Sequence, residues 1–396
     1  MKGGVLMENV RVGVIGVGNI GMMHADNIYN GKIHGMELTA VCDLRTEQIK
    51  LCREKYANVT FYKNYQELIH DKQVDAVVIA TPHRQHAEIA IEALRTDLHV
   101  LVEKPIDVTV TKALELCEVA KQSQKKFAIM FNQRTNPLFQ KAREIVKSGA
   151  LGELKRFVWI ITNWYRTQAY YDSGNWRATW SGEAGGVLIN QAPHNLDLWQ
   201  WICGMPQSLH AYCNVAKYHN IEVEDDVTIY AEYKNGATGV FITSTGEYPG
   251  TNRLEISGDR GKIVIENSVL KWWKTSEKER EFCYTSKECS PNVACEYQEF
   301  PFEGRETGHN GILQNFADAI LHGEELVSPG TDGICELTLS NAAYLSEWTG
   351  NKKIQLPFDN AKFDELLTKR SETSVCKKVK EGNSEPREQT RWQVRW

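Results

Sequence analysis

Hydrophobic and polar positions along this chain fall into two regimes. From about residue 10 to residue 130, short continuous apolar runs alternate with amphipathic stretches of helical period. Continuous runs suit strands buried on both faces, so strands are predicted at Val12–Ile15, Leu38–Cys42, Val74–Ala80, His99–Val102 and Phe127–Met130. Helices are predicted over about Thr46–Tyr56, Tyr65–His70, Arg84–Arg95 and Val110–Gln124. Beyond about Gly152 the pattern changes to period two, over Leu154–Thr162 and again from Gln207 to about Glu266. There Asn235-Gly236 and Gly258-Asp259-Arg260-Gly261 punctuate hairpins. Helical spacing returns at about His309–His322 and Thr331–Thr349.

These regimes predict an α/β domain over 9–133, with a parallel sheet covered on both faces. They predict an α+β domain over 134–368, built on a large, mostly antiparallel open sheet. One face of that sheet is expected under helices and the other free to pair with another subunit, which predicts a homo-oligomer. Residues 369–396 read as a polar tail, expected to be poorly ordered despite Trp392 and Trp396.

The length of 396 residues suits two domains, and the formal charge of -5 gives no electrostatic case for nucleic acid or an anionic membrane. No apolar run approaches a membrane span, and Met1–Asn9 does not read as a signal peptide. The ten cysteines are scattered; Cys283, Cys289 and Cys295 recur every six residues, a spacing of no common zinc module. The expectation is a cytoplasmic protein with reduced thiols and no metal.

The strand Val12–Ile15 breaks at Gly16 and turns into a helix through Val17-Gly18-Asn19-Ile20-Gly21. Gly16 permits the turn, Gly18 lets the backbone approach a pyrophosphate, and Gly21 lets the helix pack on the strand. The next strand ends in Asp43, where a carboxylate meets the adenosine ribose. This Rossmann fingerprint predicts a dinucleotide, and Asp43 favours NAD over NADP by repelling a 2′-phosphate. Arg45 complicates the choice, since it can pair with that phosphate, stack on adenine or face water. Other strand ends carry Thr81-Pro82-His83, Glu103-Lys104-Pro105 and Asn132-Gln133-Arg134, which converge on the cofactor's crevice. Thr81, His86, Glu103, Lys104 and Asn132 are therefore further cofactor candidates.

The fingerprint, Glu103-Lys104-Pro105, and Gly185-Gly186 followed by His194 resemble the Gfo/Idh/MocA oxidoreductases, relatives of glucose–fructose oxidoreductase and inositol 2-dehydrogenase. The resemblance covers about residues 9 to 360. It implies a pyridine nucleotide that oxidises or reduces a ring alcohol, with catalysis by Lys104 and His194. Many sugar and inositol dehydrogenases carry aspartate where this chain has Asn190. The chemistry makes the same demand. Histidine has a pKa suited to taking a hydroxyl proton, and a lysine ammonium favours the developing alkoxide. Lys104 ends a core strand, an odd place for a solvated lysine. Asn190, His194 and Asp197 stand at i, i+4 and i+7, which predicts one polar face on a helix beginning near Gly186. A structural histidine is the competing reading, and Asp197 reads equally as structural.

The segment Asn163–Tyr171, then Trp176-Arg177 and Trp180, is dense in aromatics and arginine. Aromatic faces pack on sugar rings while arginine reads hydroxyls, which makes Arg166, Tyr170 and Arg177 substrate candidates. A packed loop or subunit contact would show the same composition. Arg134, His86, His309 and Asn132 are weaker candidates. A short-chain dehydrogenase fits badly, since its tyrosine–lysine spacing occurs only at Tyr230 and Lys234, in an alternating strand. The reading is an oxidoreductase of a free sugar, glycoside or cyclitol, inclined toward C3 of a glucose-type ring. The alternatives are redox-neutral glycoside cleavage through a 3-keto intermediate on retained NAD, and a cofactor-binding sensor or scaffold without turnover.

Overall fold

The computed structural model describes residues 8–302 and 307–375. Its first part runs β1 (Val10–Ile15), α1 (Asn19–Tyr29), β2 (Met36–Cys42), α2 (Thr46–Lys55), β3 (Thr60–Tyr62), α3 (Tyr65–His70), β4 (Ala76–Ile79), α4 (His86–Arg95), β5 (His99–Val102), α5 (Val110–Gln122) and β6 (Phe127–Ile129). There follow α6 (Pro137–Lys147), β7 (Leu154–Ile161), α7 (Gln168–Asp172), α8 (Val187–Asn190), α9 (Pro193–Cys203), β8 (Ser208–Val215), β9 (Glu224–Glu232) and β10 (Thr238–Ser244). The remainder is β11 (Asn252–Gly258), β12 (Gly261–Glu266), β13 (Val269–Thr275), α10 (Glu279–Thr285), β14 (Cys295–Pro301), α11 (Gly308–Leu321), α12 (Gly333–Trp348), β15 (Ile354–Gln355) and α13 (Asn360–Glu372). No helix among the described residues is long and apolar enough to cross a membrane.

The apolar runs of the first part pair as one parallel sheet in the order β3-β2-β1-β4-β5-β6. Strand order reverses between β1 and β4, and ligands in such sheets bind outside the strands' carboxyl ends at that switch point. Strand β3, only three residues long, carries too little pattern to be read from the sequence. Val12, Val14, Val41, Ala76, Val78 and Leu101 are buried, which is why these runs lack polar positions.

Residues 8–136 and 307–337 form one compact unit, and 137–302 and 338–375 a second. The sequence reading placed 307–337 in the second domain. The structure returns them to the first, because Ile312, Leu313, Phe316 and Ala317 of α11 join the cluster of Val12, Val14, Ala25 and Ile28. Helical period shows that α11 has an apolar face, but not which core it covers.

The second unit holds a nine-stranded sheet in the order β14-β13-β12-β11-β7-β10-β9-β8-β15. All neighbours are antiparallel except β7 and β10. Asn235-Gly236 closes the β9–β10 hairpin, and Asp259-Arg260 turns β11 into β12. Side chains of one face meet helices: Phe139 of α6 lies 5.6 Å from Trp159, and Trp199 of α9 stacks 5.5 Å from Phe241. On strands β8 and β9, Tyr212 and Tyr230 are exposed. The expected tail begins inside α13, whose Phe363 stacks on Trp348 and whose first turn is capped by Asp359 accepting from the Lys362 N–H. Trp392 and Trp396 lie outside the described residues.

Candidate active site

Gly16 ends β1 with φ +86°, a conformation L side chains rarely adopt. A methyl there would lie 2.7 Å from the Ala80 carbonyl oxygen, so Gly16 brings β1's end against β4's. Gly21 serves the helix side, where a methyl would come within 1.8 Å of the Gly16 carbonyl oxygen. Gly18 differs: a methyl there meets nothing closer than Arg45 Nη2 at 3.9 Å. Helix α1 starts at Asn19 with no side-chain cap and no acidic residue in its first turn. Its early N–H groups and positive dipole end are left for an anion, the arrangement that holds a pyrophosphate.

Asp43 closes the other side of this turn. Its Oδ2 accepts from the Val17 N–H at 3.0 Å and Arg45 Nη2 at 2.8 Å; its Oδ1 accepts from the Arg45 N–H and Nε, both at 2.9 Å. Arg45 is thus paired with Asp43, an outcome the sequence reading did not include. Burial works to raise the Asp43 pKa, yet the bonds from Arg45 and the Val17 N–H hold it below its ordinary value. Thr81 Oγ1 and Asn132 Oδ1, at the ends of β4 and β6, are buried with no hydrogen-bond partner among the described residues. An open approach over Gly18, an uncapped helix start and two orphan polar atoms fit a bound dinucleotide.

At the end of β5, Glu103 is buried, its Oε1 bonded to His24 Nε2 at 2.8 Å and its Oε2 accepting from the Lys104 N–H at 3.2 Å. Burial opposes ionisation, but the hydrogen bond with His24 and the proximity of His24, His309 and Lys104 hold its pKa down at about 2. His309 joins this group with its ring 5.7 Å from that of His24, and burial pushes its pKa down to about 4. Glu103 is therefore a carboxylate that neutralises charge beneath Lys104. His24, in the second turn of α1, carried no signal by itself.

Two weaker candidates are corrected. His86 is fully buried, with Nδ1 2.7 Å from the Pro105 carbonyl oxygen and Nε2 2.8 Å from that of Thr81. Both polar atoms are engaged, so the ring has none to offer a cofactor. Arg134 is also buried, with Nη1 2.7 Å from Asp332 Oδ2 and 3.3 Å from the Val327 carbonyl oxygen. It holds the segment before α12 rather than a substrate.

In the second unit the expected single helix from Gly186 is two. Pro193 cannot donate to a preceding turn, so α8 ends at Asn190 and α9 begins at Pro193. Asn190, His194 and Asp197 therefore do not share one helical face. Asn190 donates from Nδ2 to Glu183 Oε1, His194 occupies the first turn of α9, and Asp197 is buried, accepting from Gln200 Nε2 at 3.0 Å. A structural role is the reading that geometry supports for Asp197.

The aromatic segment does bring its candidates together. Arg177 Nη1 donates to the Tyr170 hydroxyl at 2.8 Å, and its guanidinium lies over the rings of Tyr170 and Trp176 at 4.6 and 4.7 Å. Arg166 lies over the Tyr170 ring at 5.1 Å, and Gln191 Nε2 reaches the same hydroxyl at 3.2 Å. Stacked guanidinium and aromatic faces rigidify one another. Anchors lie further along the chain: His219 Nε2 is 2.9 Å from the Arg166 carbonyl oxygen, while its Nδ1 is 2.8 Å from Asp225 Oδ2.

Two glutamates that sequence reasoning missed hold this region. Glu183 Oε2 accepts from the Ala178 N–H at 2.7 Å, and its Oε1 lies 3.9 Å from Arg177. Glu224, fully buried, accepts from the N–H groups of Gly186 and Leu188 at 3.0 Å and from the Tyr344 hydroxyl at 2.7 Å. Burial pushes its pKa up to about 7. Gly186 is glycine because a methyl there would meet the Glu224 carbonyl oxygen at 1.9 Å. An acidic residue inside an alternating strand was the available signal.

Residues 10–131 match the oxidoreductase family model with NAD-binding Rossmann fold, and residues 139–264 match the GFO/IDH/MocA C-terminal domain. The chain is 27% identical over 339 residues to the myo-inositol 2-dehydrogenase of Thermotoga maritima, covering 84% of this chain and 95% of the relative. It is 32% identical over 209 residues to the D-glucoside 3-dehydrogenase of Escherichia coli, which is 52% of this chain and 57% of that one. Among solved structures, the WlbA dehydrogenase of Chromobacterium violaceum in complex with NADH and UDP-GlcNAcA superposes with a TM-score of 0.76 at 25% identity, over 90% of this chain and 98% of that one. With both domain models matched and the fingerprint built as described, the chain belongs to the Gfo/Idh/MocA family of NAD-dependent oxidoreductases.

Proposed function

We propose that the protein oxidises a secondary hydroxyl of a sugar, glycoside or cyclitol, at C3 of a glucose-type ring, with Lys104 and His194 acting on that hydroxyl. The observation that carries the substrate class is the cluster of Arg166, Tyr170 and Arg177, whose aromatic ring and guanidinium donors suit a hydroxylated ring. The 3-dehydrogenase relative supports the choice of carbon.

Bound NAD supplies the hydride acceptor. His194 takes the hydroxyl proton on a ring nitrogen, and the Lys104 ammonium stabilises the alkoxide as it forms. Glu103, ionised at neutral pH, balances the lysine's charge through the local field. Arg166, Tyr170, Arg177 and Asn190 hold the ring's other hydroxyls. The exposed tyrosines of β8 and β9 support self-association, which light scattering tests. The scattered spacing of the ten cysteines supports a reducing compartment such as the cytoplasm.

A turnover screen of sugars, glycosides and cyclitols, read by NADH formation, tests this reading. Stoichiometric NADH with a 3-keto product is expected. Glycoside cleavage without net NADH would replace it with the redox-neutral cycle, and no turnover on any ring alcohol would contradict both.

A further inference from the structure

Strands β4 and β5 lie side by side, and each ends in a turn that carries part of the cofactor-side chemistry: Thr81 after β4, Glu103-Lys104-Pro105 after β5. His86, the first residue of α4, lies between the two turns. Its Nδ1 is 2.7 Å from the Pro105 carbonyl oxygen, nineteen residues away, and its Nε2 is 2.8 Å from the Thr81 carbonyl oxygen. The ring is 1% exposed, so these two contacts lie within the protein interior. Carbonyl oxygens only accept, and two contacts this short ask for a proton on each ring nitrogen. Burial opposes that second proton and lowers the pKa, while the two carbonyls and the Glu103 charge pull the other way. A polar ring is kept here at a desolvation cost that an apolar residue would avoid, which points to a task beyond filling space.

We propose that His86 is a positioning residue that ties the Thr81 turn to Pro105, so that one imidazole sets the placement of Lys104 and of the cofactor-side turn together. The inference rests on the catalytic reading of Lys104. Its two links are separable by side-chain length. Asparagine places an amide nitrogen near the position of Nδ1 and can keep the Pro105 link; glutamine places one near Nε2 and can keep the Thr81 link.

The test compares His86→Asn, His86→Gln and Lys104→Met in the full chain, each measured for NADH affinity by fluorescence and for kcat and KM. His86→Gln, which releases Pro105, is expected to lose kcat by about 10- to 100-fold, the cost of an ångström-scale misplacement, with cofactor KM near wild type. His86→Asn, which releases Thr81, is expected to raise cofactor KM while keeping most of kcat. A merely structural histidine would lower stability in both variants without this split. Folded variants with wild-type constants, or with equal losses in both parameters, overturn the proposal. If Lys104→Met retains full turnover, it is the catalytic reading of Lys104 that has failed. Should the variants not fold, wild-type enzyme with 15N-labelled histidine gives the answer. The His86 ring N–H is expected to exchange slowly and to shift on NADH addition, and a ring indifferent to NADH overturns the proposal.

Discussion

The two units carry their chemistry in opposite ways. In the first, the candidate cofactor surface is mostly backbone, the turn at Gly16 and the N–H groups opening α1, with one carboxylate fixed beside it by the Val17 N–H. In the second, the proposed recognising surface is side chain held by side chain. Tyr170 is fixed by Arg177 and Gln191, Arg177 by Glu183, and the Gly186 turn by Glu224 and Tyr344. A backbone site needs small residues at fixed local spacing, so a short motif states it almost completely. A side-chain site needs partners tens of residues apart, and local spacing is silent about them.

Among the cofactor-side variants, the largest loss of stability should come from adding one methyl group at one of two fingerprint glycines, and the other should lose binding instead. Gly21→Ala pushes a methyl within 1.8 Å of the Gly16 carbonyl oxygen and should cost about 3 kcal/mol, the upper part of the overpacking range. Gly18→Ala enters open space, should leave denaturant midpoints near wild type, and should weaken NADH binding by about tenfold, or ~1.4 kcal/mol. Chemical denaturation beside NADH titration separates the two. Equal stability losses would break the idea that the glycines have different tasks.

Asp43→Ala sharpens the comparison from the ribose side. It removes the acceptor of the Val17 N–H and releases Arg45, so NAD affinity should fall and the preference over NADP should shrink by about an order of magnitude. An unchanged cofactor ratio would mean that Arg45, not Asp43, sets the selection.

A smaller effect is expected at Glu224, as a pH dependence. Its pKa is raised by burial from an ordinary 4.5 to about 7, so over that interval the folded state holds a proton that the unfolded state has released. Stability contributed by this group therefore falls as pH rises from 4.5 toward 7. Glu224→Gln should flatten that slope in thermal melts across the interval. An unaltered slope would place the titrating group elsewhere.

Legibility follows the same division. The parallel sheet, the fingerprint, Asp43 and the ends of β4 and β5 were readable because continuous apolar runs and glycine spacing are local. The docking of α11 onto the first unit was not, since its apolar face matches any core. Nor was the break before α9: Asn190 and His194 look like helix neighbours until Pro193 is given its weight. His86 and Arg134 stood at strand ends where ligands bind, yet burial assigned both to the scaffold. Glu183 and Glu224 escaped notice because a glutamate's task is decided by which backbone N–H groups it meets.

The central claim is that cofactor binding is written in the first unit's backbone while the proton transfer depends on His194. His194→Ala tests it most directly, with NADH affinity and the pH profile of turnover measured on the same preparation. Turnover should fall by ~10²–10⁴-fold, the range for loss of a general base, with the acidic limb flattened or moved. NADH affinity should stay within about twofold of wild type, or ~0.4 kcal/mol. Near-normal turnover with an unchanged pH profile would contradict the account and put the base elsewhere, with Lys104 or Tyr170 next in line.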